Sequence, residues 1–162
     1  MFNKNNKQIG IGNINLQGFE EDLGIINEIY EMVLNKEKEN LELSKDRDFL
    51  DINKKIELNI KNKLDRERIK KLFESIYDKI SLIEKTISEL DASQQRTLSI
   101  DIKEQYHLAM KETNQNVSDA LDKMIKHYTP EQKSKNPSYN NLARAFVLFF
   151  FDDCTIGRKN KC

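Results

Sequence analysis

Between residues 69 and 90, apolar side chains recur mostly in steps of three and four: Ile69, Leu72, Phe73, Ile76, Ile80, Ile83, Ile87 and Leu90. That period puts them on one face of an α-helix. Sustained over several turns, it is the seam of a coiled coil or of a long bundle helix. One helix is therefore expected over 65–90, with Lys and Glu on its opposite, solvated face.

The rest of the chain follows the same rule. Of 162 residues only five are Gly and two are Pro, so few positions interrupt a helix. A first helix is expected over 19–39, striped by Leu23, Ile26, Ile29, Tyr30, Val33 and Leu34. Glu20, Glu21 and Asp22 would sit in its first turn, where the helix dipole favours acids. The charged stretch 36–47 reads as a frayed helix end or a linker. A second helix is expected over 51–62, with Ile52, Ile56, Ile60 and Leu64 on one stripe. Further helices are expected over 92–111 (Leu98, Ile102, Tyr106, Ala109) and 116–128 (Val117, Leu121, Met124, Ile125, Tyr128). Thr129-Pro130 reads as an N-cap followed by Pro at the first helical position, and Asn136-Pro137-Ser138 repeats the signal. The last helix, over 138–153, carries Leu142, Ala145, Phe146, Val147, Leu148, Phe149, Phe150 and Phe151. It is apolar nearly all round, so it belongs at a bundle centre or at an interface. Within it, Phe146 and Phe150 are expected inward and Phe149 nearer a partner.

Residues 1–17 differ in kind. Ile9, Ile11, Ile14 and Leu16 alternate around Gly12-Asn13, the pattern of a short strand or small hairpin. Such a hairpin is marginal alone. The leader is thus either a disordered tail or a strand that pairs with another subunit. The expected fold is all-α: a helical bundle with one long coiled-coil-like helix and a short extended N-terminal leader. Its divisions are a leader at 1–17, one bundle domain at 18–157 and a basic tail at 158–162. The candidate interaction residues are Ile9, Ile11, Ile14, Leu16, Phe149 and Phe151.

Several function classes have little support. Lys plus Arg and Asp plus Glu are equal at 27 each, which gives no electrostatic case for direct nucleic-acid binding. The longest apolar run, residues 145–151, is far short of the roughly 20 needed to cross a bilayer. The first residues, MFNKNNKQ, lack the apolar stretch of a signal peptide, so a cytoplasmic location is expected. Cys154 and Cys162 do not form a disulfide framework; a buried thiol and a loose one are the plain reading. No Walker loop occurs, and Gly10-Ile11-Gly12 is only a fragment of a dinucleotide fingerprint. His107 and His127 lack the partners of a nucleophilic or metal site. Asp152-Asp153, with Arg144, Arg158 and Lys159 nearby in sequence, read as an ion pair closing the last helix. No catalytic residue, metal ligand or cofactor is assigned, and a non-enzymatic role is expected.

Three segments taken together resemble a known family. The first is Asp51-Ile52-Asn53-Lys54-Lys55-Ile56-Glu57-Leu58-Asn59, with a Lys-Ile-x-x-Asn core. The second is the amphipathic stretch 65–90. The third is the apolar helix ending in Phe151-Asp152-Asp153-Cys154-Thr155-Ile156-Gly157-Arg158-Lys159. In this order they resemble the helical C-terminal modules of bacterial ABC-three-component conflict systems, which include Lamassu-type anti-phage defence. Those modules often end in a helix followed by a Cys-x-Ile-like segment. Many proteins of such systems also carry an Asn/Gly-rich leader similar to residues 7–15. The likeness spans residues 45–160 and rests on short motifs. One departure is plain: the modules usually follow an effector domain, and here only the first helix and the leader precede. The resemblance implies an accessory subunit that self-associates or joins an SMC-like ATPase or nuclease. It carries over no catalytic residue.

Overall fold

The protein is described by a computed structural model over residues 16–35, 51–153 and 155–158. Seven α-helices make up these residues: α1 Leu16–Leu34, α2 Ile52–Asn59, α3 Lys63–Ser75, α4 Tyr77–Ser88, α5 Ala92–Glu112, α6 Val117–His127 and α7 Pro137–Asp152. Among the described residues there is no strand. The all-α bundle is as expected. Ile9, Ile11 and Ile14 lie outside the described residues, and so does the side chain of Leu16, whose backbone opens α1.

Local chemistry fixes most helix starts. Asp51 caps α2 through Asn53 N, and Asn62 caps α3 through Asp65 N. Asp91 and Gln94 form a reciprocal capping box on α5. Asn116 caps α6, and Asn136 caps α7 ahead of Pro137. Two start signals come out differently. Thr129 caps nothing: its hydroxyl donates to Ile125 O, and Pro130 precedes a 3-10 turn at Glu131–Lys133. Helix α1 begins at Leu16, which moves Glu20, Glu21 and Asp22 out of the first turn. Asp22 instead pairs with Lys79 and ties α1 to α4.

The single helix expected over 65–90 is two helices. Ile76 leaves helical geometry at φ −123°, ψ 20°. The Ser75 hydroxyl donates to Leu72 O at 2.8 Å, and the Ile76 amide reaches the same carbonyl at 3.2 Å. A serine competing for a backbone carbonyl loosens a helix at that turn. The apolar seam nevertheless continues through the break, because Ile69, Phe73, Ile76, Ile80, Ile83 and Ile87 are all buried. The interruption lets α3 stay with α2 while α4 packs along α7. The seam is thus satisfied inside one chain, without a coiled-coil partner. Leu64, expected on the α2 stripe, opens α3 instead and is 75% exposed.

Helix α7 is the centre of the bundle, with α1, α4, α5 and α6 all packed against it. Phe146 meets Tyr30 of α1 at 5.8 Å, Tyr128 of α6 at 5.0 Å and Phe150 at 5.3 Å between ring centroids. Offset and edge-on pairs of this kind add to the burial of the rings themselves. Two of the buried phenols are hydrogen-bonded. Tyr30 meets Thr86 at 2.6 Å, and Tyr128 donates to the buried Asp101 at 2.7 Å. Burial raises both phenols far above their ordinary range, so they remain neutral donors.

Candidate interaction site

The segments that carry the family resemblance meet in space. Helix α2 buries Ile56 and partly buries Ile52, Ile60 is buried just past its end, and the helical period brings Lys55 and Asn59 onto the same inner face. Asn59 is the fastener. Its side-chain amide donates to Lys55 O at 2.8 Å and to Arg158 O at 3.1 Å, while its Oδ1 accepts from Arg158 N at 2.6 Å. The chain just past α7 is thereby clasped to α2, a link across 99 residues of sequence. Ile156 is buried beneath it. Gly157 makes the close approach possible. It has φ +84°, and a Cβ there would stand 2.9 Å from Phe151 Cε1 and 3.1 Å from Lys55 Cε. The backbone of Gly157 and Arg158 is therefore held against α2, while the Arg158 side chain is exposed.

Lys55 is fully buried, with Nζ 5.1 Å from the centroid of the Phe151 ring. It also supplies the positive charge that acts on Asp152. Arg144 turns to Asn141 at 3.0 Å, and the Arg158 backbone engages Asn59. Lys159 lies outside the described residues. Asp153 is buried and accepts from Thr155 N at 2.9 Å, which turns the chain toward α2.

Beside the clasp, a cleft of about 430 Å³ opens between α2, α3 and α4. Ile52, Ile56, Phe73 and Ile80 form apolar walls, and Tyr77 stands at the lip, 70% exposed. Asp152, the last residue of α7, also lines it, together with Lys70 and Glu74. The Asp152 carboxyl is raised above the usual carboxylate range, first by burial, then by the charges of Asp153 and Glu84, with Lys55 opposing. Across the cleft rim, Lys70 is 3.8 Å from Glu57.

The expected interaction residues fare differently. Phe149 is 5% exposed and Phe151 is fully buried, so the chain itself covers both. Placing them at a partner interface is thus corrected: Phe149 stacks edge-on against Phe150 at 5.1 Å, and Phe151 lies 6.4 Å from Phe73. The helix is apolar all round because it is central. His107 and His127 are both exposed. Among the described residues, no three His, Cys, Asp or Glu side chains gather as metal ligands, and no helix is long and apolar enough to cross a membrane. Cys154 and Cys162 lie outside the described residues. The residues that matter most here, Lys55, Asn59, Gly157 and Tyr77, were not singled out individually by periodicity. A signal did exist for two of them: a Lys and an Asn falling on an apolar stripe.

No family model, curated protein or solved structure matches this chain.

Proposed function

We propose that this chain is a non-catalytic adaptor in a bacterial anti-phage defence complex of the ABC-three-component, Lamassu-like type. One observation carries the reading. The three segments that bear the family resemblance pack as a single unit. Lys55 and Asn59 come from the first, Phe73 from the second, and Phe151, Gly157 and Arg158 from the third. Motifs spread over a hundred residues and joined in one clasp behave as the signature of a module rather than as chance matches. Next to that clasp, the cleft with the exposed Tyr77 at its lip offers an apolar-walled surface for a partner. The adaptor acts in the cytoplasm by assembly, holding an SMC-like ATPase or a nuclease, and it needs no cofactor.

The test is co-expression with the products of the genes adjacent to its own, followed by affinity purification and mass measurement. An SMC-like ATPase or nuclease retained in fixed stoichiometry is the expected result. A chain that purifies alone or only as a homo-oligomer, from a locus with neither gene, would overturn the adaptor reading.

A further inference from the structure

Equal totals of acid and base hide an uneven distribution. Helix α1 carries five Asp or Glu and no Lys or Arg. Residues 54–71, which run through α2 and α3, carry eight Lys or Arg against three Asp or Glu. The fold decides which of those cations face outward. Lys55 is buried, Arg68 is held by both oxygens of Asp122 at 3.1 and 2.9 Å, and Lys70 lies 3.8 Å from Glu57. Lys54, Lys61, Lys63, Arg66 and Lys71 join none of the ion pairs among the described residues. Four of these five are exposed, and Arg66 is partly buried. The carboxylates left on the same helix pair are Glu67 and the partly buried Asp65. The clasp adds a further cation. Its backbone bonds to Asn59 set the exposed Arg158 beside the end of α2, where the chain turns through Lys61 into α3.

We propose that the outer surface of α2 and α3, together with Arg158, binds the phosphate backbone of a nucleic acid without reading its sequence. Lys63 and Lys71 stand about 12 Å apart along α3, and Lys54 and Lys61 extend the charge along α2. A surface of that length spans several phosphates, which follow one another about every 3.4 Å along each strand of a duplex. Charge segregated in this way attracts a polyanion even though the chain as a whole is neutral. An anionic lipid surface fits less well. Leu64 is 75% exposed at the start of α3, but it is one apolar side chain, and the cations continue well beyond it to Lys71 and Lys54. The proposal goes beyond the adaptor reading and does not depend on it.

The test uses the purified full chain and a fluorescein-labelled DNA duplex of mixed sequence, read by anisotropy across a salt series. A Kd of about 1–100 μM near physiological salt is expected. About four phosphate contacts predict that affinity falls about a hundredfold between about 50 and 200 mM salt. Lys61→Glu with Lys63→Glu is expected to weaken binding at least about tenfold. Lys133→Glu with Lys135→Glu changes the net charge equally at exposed positions outside α2 and α3, and is expected to weaken it about threefold or less. All four lysines are exposed, so both double variants are expected to melt with the wild type by circular dichroism. Lys54→Gln is expected to reduce the salt slope by about one contact. Four results would each overturn the proposal. The first is no duplex binding at low salt, and the second is equal loss in the two double variants. The third is binding to phosphatidylserine vesicles that Leu64→Ser abolishes, with the duplex left unbound. The fourth is self-association at low salt, by light scattering, that Lys61→Glu with Lys63→Glu abolishes while the duplex stays unbound; that would assign the surface to α1 of a second copy.

Discussion

Replacing Gly157 with Ala sets one methyl group against the whole clasp. Two costs combine. The backbone at φ +84° is in the region that L side chains rarely adopt, which costs about 1–2 kcal/mol once a Cβ is present. The new Cβ would also stand 2.9 Å from Phe151 Cε1, 3.1 Å from Lys55 Cε and 3.2 Å from Asn59 Oδ1. None of these three gives way freely. The Phe151 ring is fully buried against Phe73, Lys55 is fully buried, and Asn59 Oδ1 already accepts from Arg158 N. Forcing such a site apart costs about 1–3 kcal/mol more. The sum, about 2–5 kcal/mol, lowers the melting temperature by roughly 5–15 °C in a chain of this size. Gly24 is the control. It lies in α1, is exposed, and has nothing within 4 Å of where a Cβ would go. Gly24→Ala is therefore expected to raise stability by about 0.5–1 kcal/mol. Thermal and urea melts followed by circular dichroism read both. If Gly157→Ala melts with the wild type while Gly24→Ala rises, residues 155–158 are not held against α2 and the clasp is wrong.

Other substitutions probe the rest of the fold. Phe146→Ala and Phe149→Ala should each cost about 3–5 kcal/mol in urea melts with no change in mass by light scattering; loss of mass in Phe149→Ala alone would return that ring to an interface. Tyr128→Phe removes the donor to the buried Asp101 and should cost about 1.5–3 kcal/mol, read from the shift in urea midpoint; an unchanged midpoint would deny that the bond contributes. Asp152 has a raised folded-state pKa, chiefly because it is partly buried, with Asp153 and Glu84 raising it further and Lys55 lowering it. The folded state therefore holds the proton longer than the unfolded one. This contribution is fully present below the unfolded-state pKa and is lost as pH rises from there through the folded-state value. Asp152→Asn should flatten the decline in stability between the ordinary carboxylate range and the raised value; melts at stepped pH with identical slopes in both proteins would refute it. Gln115 in the α5–α6 turn has φ 66°, so Gln115→Gly should be stabilising by about 0.5–1 kcal/mol, and a lower melting temperature would contradict the assigned backbone.

The sequence by itself determined that the chain is helical and where most helices lie. Period and caps are local properties, carried by neighbouring residues such as Asp91 with Gln94 or Asn136 with Pro137, so they can be read without knowing the fold. It also marked α7 as the most deeply buried helix, because side chains that are apolar on every face need cover on every face. Who provides that cover is a question of tertiary structure. Other parts of the same chain cover Phe149 and Phe151, which a one-dimensional pattern cannot distinguish from an interface. The break at Ile76 was hidden for a related reason. The seam keeps its period across it, and the competition between Ser75 and the backbone for Leu72 O leaves no mark on hydrophobicity. The clasp lay furthest from view. Asn59 and Arg158 are joined by a contact 99 residues long, and Lys55 becomes a core residue only when Phe151 and Gly157 close over it. Local periodicity assigns each residue a face; only packing decides which distant face it meets.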